Sequence, residues 1–372
     1  MPSEDETPTL VDLASVARRQ TPNSPKNVDL VLEGGAVWGV ALVGAICALE
    51  AQGYMPQNIA GTSAGAIVAA LLAAGYHGAE IREIMFRQNL AAFADKTWKA
   101  QVPLIGVPWS VLTELGIHKG DAILHRLREV LGRKGIHTFG DLIHPDYADP
   151  HSRYHYRLHV IASDITGRRL LVLPGDAKFF GIKPDDLDVA LAVRMSMSIP
   201  LFFKPVILRD AGKKRYLITD GSMLSNFPIW LFDAPGRPEW PTFGLRLTEA
   251  NPHDSLANAL PPTPAPDKRG LSMLIDYGSS LIRTMMEAHD RMYMDRHTTV
   301  RTIMIPTQGV PATNFNLPPE QVDALYRSGQ LAAMQFLRNW DFQRYLAEFR
   351  SDAAVPVHPN GGSARAIPSI EG

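Results

Sequence analysis

The sequence lacks several features that would each define a class of protein at once. Only one cysteine, Cys47, occurs among 372 residues, which excludes an intramolecular disulfide framework and a cysteine-based zinc site. No apolar run approaches the roughly 18 residues that cross a bilayer. The polar, acidic start also has no apolar core of a secretory signal. Basic and acidic residues nearly balance, 37 against 38, which disfavours binding to nucleic acid. Together, these absences predict a soluble, cytoplasmic protein.

The two ends of the sequence differ in character from its middle. Residues 1–27 are polar and proline-punctuated, and residues 351–372 lack hydrophobic periodicity, so we expect a flexible arm and a disordered tail. Five prolines within residues 251–270 indicate a surface loop. One catalytic or binding domain is therefore expected over residues 28–350.

Within that domain, short runs rich in β-branched residues alternate with helical stretches, which is typical of an α/β fold with a largely parallel sheet. Two helices are expected directly after glycine-rich turns, one ending at Gly53 and the other at Gly75. Longer helices are predicted at Leu271–Met294 and Pro319–Leu337. Strands are predicted at residues 28–32, 59–60, 158–162, 170–173, 205–208, 216–219, 242–247 and 300–305.

The strongest motif is G-x-S-x-G at Gly61-Thr62-Ser63-Ala64-Gly65, between a predicted strand and a predicted helix. Small residues permit the sharp turn that exposes a serine hydroxyl, and the N-terminus of the next helix offers positive potential where an oxyanion would form. This setting predicts a nucleophile elbow. The alternative is a plain strand-to-helix turn in which Ser63 only caps the helix.

Two further segments contain groups that could act with such a serine. The loop after the first strand presents the backbone N–H groups of Gly34, Gly35 and Ala36, which suit an oxyanion. A dinucleotide site is disfavoured, because Ala36 occupies the middle glycine position of G-x-G-x-x-G. Asp220 and Gly221 follow an apolar strand, so the Asp220 carboxylate is expected in the crevice beyond the strand ends.

Taken together and in this order, the three motifs resemble the patatin-like phospholipase family. The family pattern has a G-G-G-x-[R/K]-G loop, a G-x-S-x-G elbow shortly afterwards and a distant D-G-[A/G]. The resemblance runs from Val28 to Leu247 and continues more weakly to Arg350. It implies a three-layer α/β/α fold with a central, largely parallel sheet. It also implies a helical cap inserted at about residues 86–155, where the apolar stretch 98–117 lies.

The resemblance also implies a function. It predicts a serine lipid acyl hydrolase of phospholipase A or lysophospholipase type that cleaves carboxylic esters without a metal or cofactor. Its partner would be a phospholipid or another lipid ester, with peripheral membrane contact, and the oligomeric state is left open. The implied roles are nucleophile for Ser63, base for Asp220, oxyanion donors for Gly34, Gly35 and Ala36, and motif support for Gly39, Gly61, Gly65 and Gly221.

Three positions depart from the family pattern. Ala36 replaces the third loop glycine, and it keeps the expected chemistry if its φ stays negative. Trp38 replaces the family's Arg or Lys, which predicts lower activity or a preference for less charged lipids. Ser222 stands where Ala or Gly is usual.

Two other functions stay open at this point. The first is a Ser-Asp-His esterase, which would need a histidine after the acid in chain order. The second is a catalytically weak lipid-binding or regulatory protein on the same fold, since a fold does not guarantee an activity. The histidines in question are His253, His289, His297 and His358.

Overall fold

The computed structural model describes residues 26–87, 115–147, 149–150, 152–233, 236–248, 296–310 and 317–350. Several of the predicted segments therefore lie wholly or largely outside the described residues. They are the arm at 1–27, the apolar stretch 98–117, the loop 251–270, the helix Leu271–Met294 and the tail 351–372.

The sheet is mixed and mostly parallel, as the sequence predicted. The strands are β1 Lys26–Leu32, β2 Tyr54–Thr62, β3 Gly116–His118, β4 Leu158–Asp164, β5 Arg169–Leu173, β6 Leu201–Phe203, β7 Val206–Arg209, β8 Arg215–Asp220, β9 Thr242–Thr248 and β10 Thr302–Pro306. The strand order in the sheet is β10-β9-β1-β2-β4-β8-β7, and β5 also pairs with β4, while β3 and β6 form a separate pair. The five strands from β10 to β4 are parallel, whereas β5, β8 and β7 pair antiparallel.

Helices flank this sheet, and the architecture is consistent with the three-layer α/β/α fold. The predicted strand at 300–305 begins only at Thr302, because the preceding residues form a short helix. The pair β3 and β6 is not predicted, since three residues per strand give no readable alternation. The helices are α1 Gly39–Ala51, α2 Ala64–Ala73, α3 Gly78–Arg87, α4 Asp121–Gly132, α5 Val189–Ser196, α6 Arg296–Val300, α7 Pro319–Asn339 and α8 Phe342–Phe349. In the part of the chain that these ranges cover, no helix has the length and hydropathy to cross a bilayer.

Strand β4 pairs with two strands along one of its edges. β2 pairs with its first half and β8 with its second half, while β5 lies along the opposite edge. Because β2 is parallel and β8 antiparallel to β4, the carboxyl ends of β2 and β8 point towards each other. Thr62 of β2 pairs with Ile161, and Asp220 of β8 pairs with the next residue, Ala162. The residue that follows β2 is therefore brought beside the last residue of β8.

Helix α1 is buried along almost its whole length, because the sheet covers one side and α7 the other. Two glycines let the backbones of α1 and α7 approach closely. A Cβ atom on Gly44 would lie 1.9 Å from the carbonyl oxygen of Tyr326, and one on Gly329 would lie 1.9 Å from that of Ala41. Neither position has room for a side chain, so this helix crossing depends on both glycines.

Gly329→Ala is therefore expected to lower the free energy of unfolding by about 3 kcal/mol, because the added methyl group forces α7 away from α1. Urea denaturation measures this change. Gly175→Ala is the control, since a Cβ atom there would meet no atom within 4 Å. Equal stability of the Gly329 variant and the wild type would contradict the predicted close packing.

Candidate active site

Ser63 lies in a sharp turn between β2 and α2. Its backbone has φ 52° and ψ −123°, a conformation that costs a non-glycine residue on the order of 1–3 kcal/mol. The neighbouring glycines of the motif serve close packing. A Cβ atom on Gly61 would lie 2.5 Å from the Gly65 carbonyl oxygen, and one on Gly65 would lie 2.4 Å from that of Leu32. Strain is thus concentrated on the serine, whose side chain is turned out of the path of the chain.

The structure brings Ser63 and Asp220 together. The Ser63 hydroxyl donates a hydrogen bond of 2.7 Å from Oγ to Asp220 Oδ2. Both residues are buried, with 6% of Ser63 and 1% of Asp220 exposed. The reason for their proximity differs from the one expected from the sequence. β8 is antiparallel to its neighbours, so Asp220 meets Ser63 head-on along β4 and does not share the edge of a parallel sheet with it.

Burial raises the pKa of Asp220 from 3.8 to about 6, because the charged carboxylate loses contact with water. Hydrogen bonds from the side chain and the N–H of Ser222 and from the Ser63 hydroxyl act in the opposite direction. The Ser222 N–H lies 2.9 Å from Asp220 Oδ1. Ser222, one of the departures from the family pattern, thus contributes a hydroxyl to the carboxylate that Ala or Gly would not supply.

The turn after Asp220 also requires a glycine. A Cβ atom on Gly221 would lie 2.2 Å from the carbonyl oxygen of Ile161 in β4. Only glycine lets the chain leave β8 so close to the neighbouring strand, and this exit is what aims the Ser222 N–H at the carboxylate.

The glycine-rich loop lies beside Ser63, since a Cβ atom on Gly34 would come within 3.1 Å of Ser63 Cβ. The three expected oxyanion donors differ in their surroundings. The N–H of Gly34 donates to the Asn226 carbonyl oxygen at 3.3 Å. The N–H groups of Gly35 and Ala36 have no acceptor within the described ranges. Within the described ranges, two of the three N–H groups are therefore unpaired.

Ala36 has φ 46°, so the condition stated for this position, a negative φ, is not met. Its backbone N–H is still present as a donor, because a positive φ costs energy without removing that group. This left-handed conformation costs an L-residue roughly 1–2 kcal/mol, and glycine adopts it freely. The packing of the loop explains why the chain accepts the strain: the next residue, Val37, is buried, and the short 3-10 turn Ala36–Trp38 leads directly into α1.

Three side chains hold this loop in place. Asn226 Nδ2 donates to the Gly34 carbonyl oxygen at 3.1 Å. The Glu33 carboxylate, which is buried, accepts from the Leu247 N–H and lies 3.4 Å from Arg246 Nε. The indole N–H of Trp38 donates to the Val310 carbonyl oxygen at 2.7 Å. Trp38 therefore fixes the loop through a neutral hydrogen bond.

The sequence did not identify Glu33 or Asn226 as part of the site. The sequence does contain an indication of Glu33, because an acidic residue between an apolar strand and a glycine pair is unusual. It contains no indication of Asn226, which lies 192 residues from its partner Gly34.

A narrow apolar cavity of about 80 Å³ opens beside Ser63. Its walls come from α2, α3, α4 and the segment 197–203, and they include Ile67, Leu71, Met85, Leu127 and Met197. α4 lies within the range predicted for the cap. A wider cavity of about 590 Å³ between β10, α7 and α8 includes neither Ser63 nor Asp220 in its lining. The cavity beside Ser63 shares the apolar character of small-molecule sites, but its volume lies below their usual range of about 300–1,000 Å³.

In the described part of the chain, histidine takes no part in this arrangement. His297 forms a hydrogen bond with the Tyr345 hydroxyl, 2.5 Å from its Nε2. The other histidines considered for a triad, His253, His289 and His358, lie outside the described residues. Among the residues that are described, no histidine hydrogen-bonds to Ser63 or Asp220.

Comparison with known proteins identifies the family of this chain. The model of the family described as patatin-like phospholipase matches residues 30–233, a range that includes the glycine-rich loop, the elbow and Asp220. The chain belongs to the patatin-like phospholipase family. Membership confirms the resemblance drawn from the three motifs.

Relatives of this patatin-like chain occur in bacteria, a virus and yeast. It is 35% identical over 317 residues to the uncharacterized protein YqhO of Bacillus subtilis (strain 168), covering 85% of this chain and 99% of YqhO. It is 24% identical over 311 residues to the uncharacterized protein R571 of Acanthamoeba polyphaga mimivirus, covering 81% of this chain and 90% of R571. A shorter match, 41% over 73 residues, covers 18% of this chain and 15% of the triacylglycerol lipase ptl3 of Schizosaccharomyces pombe (strain 972 / ATCC 24843).

Two solved structures are also similar to this patatin-like chain. VipD of Legionella pneumophila matches with a TM-score of 0.49 and 18% identity, covering 85% of this chain and 67% of VipD. The type III effector protein ExoU matches with a TM-score of 0.43 and 17% identity, covering 87% of this chain and 54% of ExoU. The chain thus spans about half the length of ExoU.

Asp220→Asn is expected to stabilise the protein at pH 8 by about 2–3 kcal/mol, because the amide avoids the burial of a charge. The folded-state pKa of Asp220 is raised above its unfolded-state pKa. The favourable contribution of Asp220 to the free energy of unfolding is therefore complete below the unfolded-state pKa and is lost as the pH rises through about 6. The gain of the variant should therefore be largest above pH 6 and vanish below about pH 4. Calorimetry between pH 4 and pH 8 measures it.

The control for this experiment is Asp186→Asn, on an exposed turn, which should change stability by less than about 0.5 kcal/mol at every pH. An Asp220→Asn variant that is less stable than the wild type at pH 8 would contradict the assigned cost of the buried carboxylate.

Proposed function

We propose that this protein is a serine lipid acyl hydrolase of phospholipase A or lysophospholipase type, with Ser63 as nucleophile and Asp220 as base. The observation that supports this most is the 2.7 Å hydrogen bond from Ser63 Oγ to Asp220 Oδ2 beside an apolar cavity. Membership of the patatin-like phospholipase family and the local similarity to a triacylglycerol lipase support lipid-ester hydrolysis in general.

In the proposed mechanism, Ser63 Oγ attacks the ester carbonyl carbon while its proton passes to the Asp220 carboxylate. A pKa of about 6 leaves this carboxylate ionised at neutral pH, yet makes it a stronger base than an exposed aspartate. The leaving alcohol then takes the proton from Asp220, and an acyl-enzyme remains. Water attacks this ester and gives its proton to Asp220, which passes it to Ser63 Oγ as the acyl–oxygen bond breaks and the fatty acid is released.

The negative charge on the carbonyl oxygen would be stabilised by backbone donors. The N–H groups of Gly35 and Ala36 are the candidates with no acceptor in the described chain, and the N–H of Gly34 joins them only if it leaves the Asn226 carbonyl oxygen. Each such donor contributes on the order of 10²–10³ to the rate in other acyl-transfer enzymes. A strained but fixed loop suits this role, because the donors need no rearrangement during the reaction.

The lining of the cavity bears on the substrate. Its mostly aliphatic side chains suit the acyl chain of a lipid ester. The head group of the lipid would then remain outside the cavity. This arrangement favours substrates chosen by their acyl chain over substrates chosen by their head group.

Lipid profiling by mass spectrometry tests the proposal. The wild type should release fatty acid from diacyl phospholipids, lysophospholipids or glycerides, and Ser63→Ala should lower the rate by at least about 10³-fold, because the nucleophile is lost. A fluorophosphonate probe should label the wild type and leave Ser63→Ala unlabelled.

Four single alanine variants serve as controls and should retain hydrolysis. They replace His253, His289, His297 and His358. Abolition by any one of these exchanges would establish the Ser-Asp-His alternative. Lipid binding without hydrolysis or labelling would establish the regulatory alternative.

The pH dependence of kcat/KM should report Asp220, with an activity that rises with pH around a midpoint of about 6. Ser222→Ala should move this midpoint upward, because the Ser222 hydroxyl lowers the pKa of the Asp220 carboxyl group. Ser225→Ala is a matched control, since its buried hydroxyl makes no hydrogen bond within the described residues. A midpoint that stays in place or falls in the Ser222 variant would contradict the proposed base.

A further inference from the structure

The end of α5 and the two residues after it contact the backbone of both proposed dyad residues. The N–H of Ser63 donates a hydrogen bond of 2.9 Å to the hydroxyl oxygen of Ser196, the last residue of α5. Two residues later, the carbonyl oxygen of Ser198 accepts the N–H of Asp220 at 3.0 Å. One short segment therefore holds the amide groups of two residues that are 157 positions apart in the chain.

The hydrogen bond to Ser196 meets a specific need of the elbow. With φ 52°, the Ser63 backbone has left the path of β2, and its N–H needs a partner outside the strand ladder. A buried N–H without a partner costs about 1–3 kcal/mol. The side chain of Ser196 is fully buried, so no water replaces it from bulk solvent. The strained conformation of Ser63 thus depends on a side chain supplied from a distant helix.

This segment is itself firmly anchored. The Arg194 guanidinium, which is buried, donates from Nη1 to Ser198 Oγ at 2.5 Å and from Nη2 to the Lys119 and Lys204 carbonyl oxygens at 2.6 and 2.9 Å. Ser198 Oγ in turn donates to the Arg194 carbonyl oxygen at 2.8 Å. The turn is therefore tied to two other chain segments and offers Ser63 a fixed point of attachment.

We propose that Ser196 is a positioning residue for Ser63. Its hydroxyl fixes the N–H of the elbow and thereby holds Ser63 Oγ in line with Asp220 Oδ2. No contact places Ser196 against the reacting hydroxyl or the carboxylate, so it acts through Ser63. The proposal rests on the proposed function in so far as it assigns this geometry to catalysis.

The test compares Ser196→Ala with Ser196→Cys and the wild type. The alanine variant should lower kcat by about 10- to 100-fold with KM within about twofold, because misplacement of a reacting group by 1 Å costs up to about 10²-fold. Fluorophosphonate labelling should slow in parallel. The cysteine variant, whose sulfur is a weaker acceptor of similar size, should recover part of the rate.

Ser328→Ala is the matched control. Ser328 is also a buried helical serine, and its hydroxyl donates to the Pro306 carbonyl oxygen at 2.6 Å, in a segment that contacts neither Ser63 nor Asp220. Its exchange should lower stability to a similar extent and leave kcat unchanged. Hydrogen exchange of the peptide that spans residues 61–66 should accelerate in Ser196→Ala and stay unchanged in Ser328→Ala.

The outcomes separate the two proposals. Wild-type kcat in Ser196→Ala, or an equal loss of kcat in Ser328→Ala, would overturn the role of Ser196 even when Ser63→Ala is inactive. Failure of the proposed function would instead appear as a wild type without hydrolysis or labelling. Even in that case, hydrogen exchange can test the assigned hydrogen bond. An unchanged hydrogen-exchange rate of residues 61–66 in Ser196→Ala would overturn it.

Discussion

The pairing of β4 with two strands along one edge is the constraint on which the rest of the site depends. β2 ends against Ile161, and β8 ends against the neighbouring Ala162. Because backbone ladders fix strand positions to a fraction of a residue, the residue after β2 and the last residue of β8 have little freedom relative to each other. Sheet topology thus places Ser63 and Asp220 within hydrogen-bonding distance.

This geometry is obtained at the expense of local stability. Ser63 and Ala36 both have positive φ, and Asp220 is a buried carboxylate whose pKa is raised by loss of solvation. Each feature costs on the order of 1–3 kcal/mol. The surroundings offset these costs through a continuous core, in which α1 lies between the sheet and α7. Locally unfavourable conformations held by a rigid scaffold are characteristic of functional sites.

What the sequence predicts well is local. The strand at 28–32, the elbow around Ser63 and the turn after Asp220 each carry their own pattern of apolar residues and glycines, and the structure contains a strand or turn at each place. Family resemblance, drawn from the order of three such motifs, supplied the fold class. The spacing of Gly61 and Gly65 was readable in the same way, because close packing at a strand-to-helix turn is a short-range requirement.

What the sequence does not predict is long-range. The head-on approach of β8 depends on its antiparallel pairing, which no residue of the strand indicates by itself. The hydroxyl of Ser196 and the amide of Asn226 act on residues 133 and 192 positions away, so no spacing rule connects them to the motifs. The positive φ of Ala36 is not predicted either, because alanine by itself favours a negative φ.

The crystal structure of the protein after reaction with a fluorophosphonate tests the central claim most directly. A bond from phosphorus to Ser63 Oγ is predicted, with Asp220 Oδ2 still beside that oxygen. The phosphoryl oxygen should lie about 2.7–3.1 Å from the N–H groups of Gly35 and Ala36. An adduct on another residue, or a phosphoryl oxygen directed away from this loop, would contradict the assignment of a serine nucleophile positioned by the junction of β2 and β8.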